Sequence, residues 1–179
     1  MKCIPPELNP TTTRRVVLPS GKVVNLPTCQ PNFRLWSGPP PSFTFGGKKI
    51  LSYQDQPIFA ELLVLKLLEN RGWNGVWVSF YGGIKYLREM PKESSLAHSR
   101  VALFDKQSAF LDRIFMRSHH HGGCFDVFAW RDDEVLFCEA KRKGKDKLHL
   151  SQCRWIESAI TEGVQLGSLL IVEWSLVRD

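Results

Sequence analysis

The pattern of apolar and polar positions is clearest in the last third of the chain, where two apolar runs flank a short polar segment. Residues 125–130 and 135–140 are apolar or aromatic except for one carboxylate in each run, Asp126 and Glu139. The polar segment between them, residues 131–134, has the length of a hairpin turn. Nearly continuous apolar runs indicate strands that are buried on both faces. We therefore predict a buried β-hairpin that carries one carboxylate in each strand.

These two carboxylates need a chemical reason to be there. A carboxylate in the interior is unfavourable unless a cation, a proton or hydrogen bonds compensate for it. Lys141 follows Glu139 at a spacing of two, so the alternation of side chains along a strand places both on one face. Two carboxylates and a lysine at one edge of a sheet are the groups needed to hold Mg²⁺ against a phosphate. Asp126, Glu139 and Lys141 are therefore the first candidate site residues.

Apolar periodicity and cap residues predict the remaining elements. Asp55 and Ser151 stand where helix N-caps are expected, and residues 84–100 are expected to form a loop with a short helical turn. The predicted helices cover residues 55–70, 101–117 and 151–162, and the further strands cover residues 75–80 and 168–176.

Two polar residues fall within the apolar faces of these helices. Glu61 lies in the middle of the apolar arc of the first helix, and Gln152 lies in the middle of the arc of the last one. A buried carboxylate or amide must find a partner. For Glu61 the helical wheel leaves two alternatives open: a member of the functional site, or a structural residue paired with an arginine or a backbone amide.

Residues 1–50 differ in composition from the rest, since nine of the eleven prolines lie there. Two short apolar runs around residues 19–21 suit a small hairpin. We predict a Pro-rich basic arm followed by a domain at residues 51–179, with an insertion at about 84–120. Outside the hairpin, the arm is expected to be extended and either packed on the domain or mobile. In function it is interpreted either as a contact for nucleic acid or a partner, or as a solvated tail, and the tail is slightly favoured. Its basic residues are Arg14, Arg15, Lys22, Arg34, Lys48 and Lys49.

Charge and cysteine content narrow the class of protein. The net charge is +6, with 24 Lys and Arg against 18 Asp and Glu, which fits a nucleic-acid partner but also an ordinary soluble surface. The five cysteines have no regular spacing, so we expect reduced thiols in a cytoplasmic protein. The first ten residues lack the apolar core of a signal peptide, and no apolar run has membrane-spanning length.

Two further segments lie next to the predicted hairpin. Three consecutive histidines from His119 precede Gly122, Gly123 and Cys124, but their spacing matches no closed zinc module. The glycines suit a close approach of the backbone at the entry to the strand. A basic run leaves the strand that carries Glu139, and it either forms the rim of the site or is solvated surface. Its members are Arg142, Lys143, Lys145 and Lys147.

The order helix, strand, strand, strand, helix, strand, together with Glu61, Asp126, Glu139-Ala140-Lys141 and Gln152, resembles the PD-(D/E)XK nuclease superfamily, also called restriction-endonuclease-like. The segment from Glu139 through Gln152 to Trp155 is most similar to its VRR-NUC branch. The resemblance covers roughly residues 55–175. The proline that names the motif is replaced by Phe125.

This resemblance implies an α/β fold with a restriction-endonuclease-like αβββαβ core, in which helices flank a mixed central sheet. It implies a metal-dependent nuclease that hydrolyses phosphodiester bonds, with DNA as the expected substrate and a homodimer or larger complex as a possible assembly. Asp126, Glu139 and the Ala140 carbonyl would bind Mg²⁺ or Mn²⁺, and Glu61 would complete the metal shell. Lys141 would orient the attacking water or stabilise charge, and Gln152 would position the water or a phosphate oxygen. The alternative is a non-catalytic nucleic-acid-binding or assembly subunit on the same fold.

Overall fold

The computed structural model describes residues 4–44, 47–80, 83–91, 100–119 and 122–177. These residues form ten strands and three α-helices, with short 3₁₀ turns at Pro6–Leu8 and Leu166–Ser168. The longest described helix has 14 residues, and none of the described helices is long and apolar enough to cross a membrane. The strands are β1 (Thr12–Val17), β2 (Val23–Cys29), β3 (Asn32–Leu35), β4 (Leu51–Tyr53), β5 (Gln56–Ile58), β6 (Asn74–Ser79), β7 (Lys85–Leu87), β8 (Val127–Arg131), β9 (Glu134–Arg142) and β10 (Leu169–Leu176). The helices are α1 (Ala60–Glu69), α2 (Asp105–Ser118) and α3 (Leu150–Thr161).

All ten strands belong to one mixed, open sheet in which most neighbours are antiparallel. The order along the main path is β5-β4-β3-β10-β9-β8-β6-β7, and the β1–β2 hairpin joins through β2 to β10. Strand β10 runs parallel to β2, β3 and β9. The pairing of β9 with β10 can be parallel because α3 lies between them in the chain and returns it across the sheet. The protein is therefore α/β, with a mixed sheet flanked by helices, as expected.

Helices cover both faces of this sheet, which explains the continuous apolar runs of β8 and β9. Along β9, Leu136 and Cys138 pack in the apolar cluster that contains α1. Phe137, which lies between them, packs on the other face with α2 and α3. There the Phe137 ring stacks on Phe128 at 4.7 Å between centroids and meets the edge of Trp155 at 4.9 Å. Glu139 is two residues beyond Phe137, so it lies on the face of α3.

Helix α1 begins five residues later than predicted, at Ala60. Asp55 does not cap it. Tyr53 pairs with Gln56 across the β4–β5 hairpin, so Gln54 and Asp55 form a two-residue turn, and both have positive φ angles of 49° and 56°. Such a turn favours aspartate, because its short polar side chain tolerates left-handed backbone. The preference of Asp55 for a tight turn was therefore misread as a preference for a helix N-cap.

Several other boundaries differ from the prediction. The β8–β9 turn is shorter than expected, because Arg131 and Glu134 already pair within the strands. Helix α3 is capped at His149 rather than at Ser151. The region expected to be a loop with a short helical turn contains strand β7, which pairs with β6, while residues 92–99 lie outside the described residues. The predicted hairpin around residues 19–21 is confirmed as β1 and β2.

The N-terminal segment is integrated into the sheet. Strands β2 and β3 both pair with β10, at successive positions along its length. Leu8, Leu26 and Cys29 are fully buried. The interpretation as a solvated tail is therefore wrong for these residues, and the expectation of a segment packed on the domain fits them. They belong to the two apolar clusters that also contain the helices.

We predict that Leu26→Ala in β2 lowers the free energy of unfolding by about 2–5 kcal/mol, because it removes a fully buried leucine from a packed core. Val23→Ala in the same strand is the control. Val23 is 43% exposed, so its loss is expected to be below about 1 kcal/mol. Urea unfolding measures the free energy of unfolding of both variants. A loss in Leu26→Ala as small as that in Val23→Ala would mean that β2 does not contribute to the cooperative core.

Candidate functional site

The two candidate carboxylates meet where the β8–β9 ladder ends. The last ladder pair is Val127 with Cys138, which places Asp126 opposite Glu139. Beyond this pair, the two side chains accept the hydrogen bonds in place of backbone carbonyl groups. The Asp126 N–H donates to Glu139 Oε2 at 3.2 Å, and the Ala140 N–H donates to Asp126 Oδ2 at 3.0 Å. Each carboxylate is thus held by the backbone of the opposite strand.

Glu139 is the most enclosed member of the site, with 2% of its surface exposed. Its Oε1 lies 2.8 Å from Lys141 Nζ, so the predicted placement of the two side chains on one face is confirmed. The same oxygen accepts a hydrogen bond from the Gln152 amide at 2.5 Å. Glu139 therefore has a cation, an amide and a backbone N–H as partners, which compensate for its loss of hydration.

Gln152 has a structural explanation as well as a place in the site. Its side-chain carbonyl accepts the N–H of His149 at 3.0 Å. This contact satisfies a backbone donor at the start of α3. Its amide group meanwhile donates to Glu139. Gln152 therefore attaches the first turn of α3 to the carboxylate of β9, and this double contact is the reason for a polar residue on the apolar face.

A close backbone approach supports this arrangement from the other side. Gly123 has a φ of +92°, and a Cβ built on it would lie 2.3 Å from the carbonyl oxygen of Ser151. Only glycine therefore fits where the segment entering β8 crosses the first turn of α3. The predicted close approach at the strand entry is borne out at Gly123, where the backbone lies against Ser151 in the first turn of α3.

Glu61 enters the site with a partner that the sequence reasoning missed. It lies in the first turn of α1 and is 8% exposed. Its carboxylate forms an ion pair with Lys48, a residue of the N-terminal segment that we had assigned to a basic arm. The partner is thus neither an arginine nor a backbone amide. No local signal distinguishes Lys48 from the other basic residues of that segment, because the contact depends on how the chain folds back.

The shift in the pKa of Asp126 indicates that Glu61 and Lys48 lie close to the hairpin. Burial raises the pKa of Asp126 well above its usual value, and repulsion from Glu139 and Glu61 raises it further. Lys48 and the N–H of Ala140 act in the opposite direction without cancelling the shift. Glu61 is therefore both ion-paired and part of the acidic cluster. We use "acidic cluster" below for Asp126, Glu139 and Glu61.

The pKa values of Glu139 and Lys48 are also shifted in this environment. Burial raises the pKa of Glu139, although Lys141 and Gln152 oppose the shift. Burial alone would lower the pKa of Lys48, but attraction to Glu61, Asp126 and Glu139 outweighs it, so that this pKa is raised. Glu139 and Glu61 thus lie close enough to Asp126 to raise its pKa, and Lys48 reduces this effect.

The donor chemistry of the acidic cluster fits a hard divalent cation. Carboxylate oxygens are the groups that Mg²⁺ and Mn²⁺ prefer. The pKa of Asp126 is raised first by burial and then by the negative charges of Glu139 and Glu61. Across the described residues, however, no three His, Cys, Asp or Glu side chains are arranged to hold a metal ion. The contacts above give the reason: Glu61 is turned to Lys48, and Glu139 to Lys141 and Gln152.

The basic run continues from this site along the chain. Arg142 ends β9, and its guanidinium lies 5.9 Å from the Trp174 ring. Lys143 donates to Gln30 at 3.2 Å. Lys145 and Lys147 are exposed. The structure therefore places the run directly beyond Lys141, where it reaches solvent.

The histidines and cysteines do not join the acidic cluster in the described part of the chain. His119 ends α2 in a left-handed conformation with a φ of 52°, and residues 120 and 121 lie outside the described residues. Cys124 is buried next to the cluster, and burial raises the pKa of its thiol well above the usual value. The four described cysteines are free thiols.

Comparisons of the chain with protein-family models, with curated proteins and with solved structures find no match. The site must therefore be interpreted from its own residues and their geometry.

We predict that Asp126→Asn raises the melting temperature of the protein in excess chelator at neutral pH. Since its pKa is raised on folding, the charged form opposes folding, and asparagine removes the charge while keeping an acceptor for the Ala140 N–H. A gain of about 1 kcal/mol would raise the Tm by roughly 2–4 °C.

The control for this melt is Asp133→Asn. Asp133 lies in the β8–β9 turn with its side chain 95% exposed and paired to Lys106, so little change is expected. Destabilisation by Asp126→Asn would show that the charge of Asp126 contributes to folding.

Proposed function

We propose that the protein is a metal-dependent nuclease of the PD-(D/E)XK type that hydrolyses phosphodiester bonds in DNA. The observation that carries this proposal is the convergence of Asp126, Glu139 and Lys141 at the end of the β8–β9 hairpin. Their contacts of 3.0 to 3.2 Å with backbone N–H groups and of 2.8 Å between Glu139 and Lys141 hold them together. Two enclosed carboxylates beside an ammonium group form a concentration of charge of the kind found at functional sites.

The arrangement of the elements also supports the proposal. The chain passes through α1, β6, β8, β9, α3 and β10 in that order, the succession of a restriction-endonuclease-like core. The β6, β8 and β9 strands are neighbours and antiparallel, and β10 adds parallel to β9. Glu61 lies in α1, Asp126 directly precedes β8, Glu139 lies in β9 and Gln152 lies in α3, which is the order of site residues that the resemblance implies. The β1–β5 strands, β7 and α2 are additions to that core.

In this proposal the residues have distinct roles. Asp126, Glu139 and the Ala140 carbonyl would hold Mg²⁺ or Mn²⁺, with Glu61 completing the shell directly or through water. The ion would supply Lewis-acid stabilisation of the charge on the phosphate. Lys141 would orient the attacking water or stabilise the developing negative charge, and its pairing with Glu139 sets its position.

Gln152 has less freedom than the resemblance implies. One end of its amide is bound to His149 and the other to Glu139. We therefore propose that its main role is to orient Glu139, and that any contact with water or phosphate uses its remaining amide hydrogen. The basic run beyond Lys141 would hold the nucleic-acid backbone, because contacts to phosphate need cations rather than a shaped pocket.

The first test is cleavage of plasmid and oligonucleotide DNA with Mg²⁺, with Mn²⁺ and with chelator. We expect cleavage only with a divalent ion, and none from Asp126→Ala or Glu139→Ala. Lys141→Ala should lower turnover on the order of 10²–10³, as expected for one donor to the transition state. Glu134→Gln is the control, since Glu134 lies at the far end of β9 and contacts Arg131.

Undiminished cleavage in chelator would exclude the metal-dependent mechanism. DNA binding by the wild type with no cleavage under any of these conditions would favour the alternative, a non-catalytic nucleic-acid-binding or assembly subunit.

A second test concerns the basic run. Replacing Arg142, Lys143 and Lys145 by glutamine should weaken binding to all DNA sequences alike, because these side chains would contact phosphates rather than base edges. The slope of log K against log salt should decrease by about one unit for each lost contact. Lys106→Gln is the control, since Lys106 is 74% exposed and bound to Asp133 at the opposite end of the hairpin. Fluorescence anisotropy at several salt concentrations measures both, and an unchanged slope would assign the run to ordinary surface.

A further inference from the structure

Lys48 is placed differently from the other basic residues of the N-terminal segment. Its ammonium group contacts the carboxylate of Glu61. It also lies 5.2 Å from the ring centroid of Trp77 and 6.0 Å from that of Phe59. Aromatic faces attract cations at such distances. With its side chain 37% exposed, Lys48 lies at the boundary between the acidic cluster and solvent.

The charges of the site can be paired residue by residue. The acidic cluster has three carboxylates, and the described part of the chain supplies two ammonium groups, from Lys48 and Lys141. Lys141 is paired with Glu139 and Lys48 with Glu61. Asp126 has no ion pair among the described residues and accepts the Ala140 N–H instead. With all five groups ionised, one net negative charge remains, and it is centred on Asp126.

This balance suits one divalent ion. Added next to Asp126 and Glu139, such an ion reverses the charge of the site to one net positive charge, which matches the single negative charge of a phosphodiester. Lys48 contacts Oε1 of Glu61, so Glu61 has one oxygen left to complete the shell of that ion, directly or through water. A second divalent ion would need Oε1 as well, and the ammonium group beside it would repel such an ion.

We propose that Lys48 is a positioning residue of the acidic cluster, which holds Glu61 in an ion pair and thereby limits the cluster to one divalent ion. This inference rests on the proposed function in one respect, since it takes the acidic cluster for a divalent-metal site. In this proposal the ammonium group of Lys48, rather than a second metal ion, supplies the positive charge beside Glu61.

The experiment is a titration of the wild type and its variants with Mn²⁺ by isothermal calorimetry, with bound Mn²⁺ counted independently by electron paramagnetic resonance. Lys48→Met removes the charge and keeps an apolar stem against Trp77 and Phe59. We expect the stoichiometry to rise from one ion in the wild type to two in Lys48→Met. The double variant Lys48→Met/Glu61→Gln should return to one ion, because the second ion depends on Glu61.

Lys66→Met is the matched control. Lys66 pairs with Glu69 at 2.8 Å on the same helix as Glu61, and its side chain is 33% exposed, close to the value for Lys48. It removes the same charge from the protein but should leave the stoichiometry at one. Thermal melts in chelator verify that each variant is folded, and Mn²⁺ should raise the Tm of Lys48→Met more than that of the wild type.

One bound ion in Lys48→Met, or two in the wild type, would overturn the proposal. The proposal would also be overturned if the number of bound ions rose in Lys66→Met as much as in Lys48→Met, since the effect would then come from net charge. Cleavage does not enter these measurements. A wild type that binds one ion and cuts no DNA would contradict the proposed function and leave the assignment of Lys48 intact.

Discussion

The site depends on the exchange of hydrogen bonds between Asp126 and Glu139 at the end of the β8–β9 hairpin. Each side chain accepts a backbone N–H from the opposite strand, at 3.2 and 3.0 Å. These contacts replace the next rung of the ladder, so two carboxylates that repel each other are kept together by the backbone. The positions of Lys141, Gln152 and Glu61 matter because they surround this pair.

Aromatic packing behind the hairpin keeps the pair in place. Phe125, which directly precedes Asp126, stacks on Trp155 of α3 at 5.4 Å, and Trp155 in turn meets Phe137 of β9. Phe125, next to Asp126, and Phe137, two residues before Glu139, are therefore anchored in one cluster, to which α3 also belongs. A rigid core of this kind can hold an unfavourable concentration of charge that a loop would relax, and such concentrations are typical of functional sites.

Much of the hairpin and its chemistry was predictable because the information is local. One apolar run is interrupted by Asp126 and a second one by Glu139. This pattern indicates buried strands whose carboxylates need a compensating cation, proton or hydrogen bond. The spacing of two between Glu139 and Lys141 is enough to place them on one face, and their 2.8 Å contact agrees with this. The anomaly of Gln152 on an apolar arc was also visible, although its partner His149 shows that helix capping contributes to it.

The sequence by itself determined the α/β class, the buried hairpin and its acidic and basic residues, since strand and helix periods depend on neighbours a few positions apart. Tertiary structure alone decided that residues 12–35 join the sheet through β10, and that Lys48 lies on Glu61. It likewise decided that Asp55 forms a turn rather than a helix cap. The pairing with β10 joins segments more than a hundred residues apart, and the Lys48–Glu61 contact depends on how the chain around β4 and β5 folds back. The free energy that selects such contacts comes from burial and charge compensation in the assembled core, which no local pattern records.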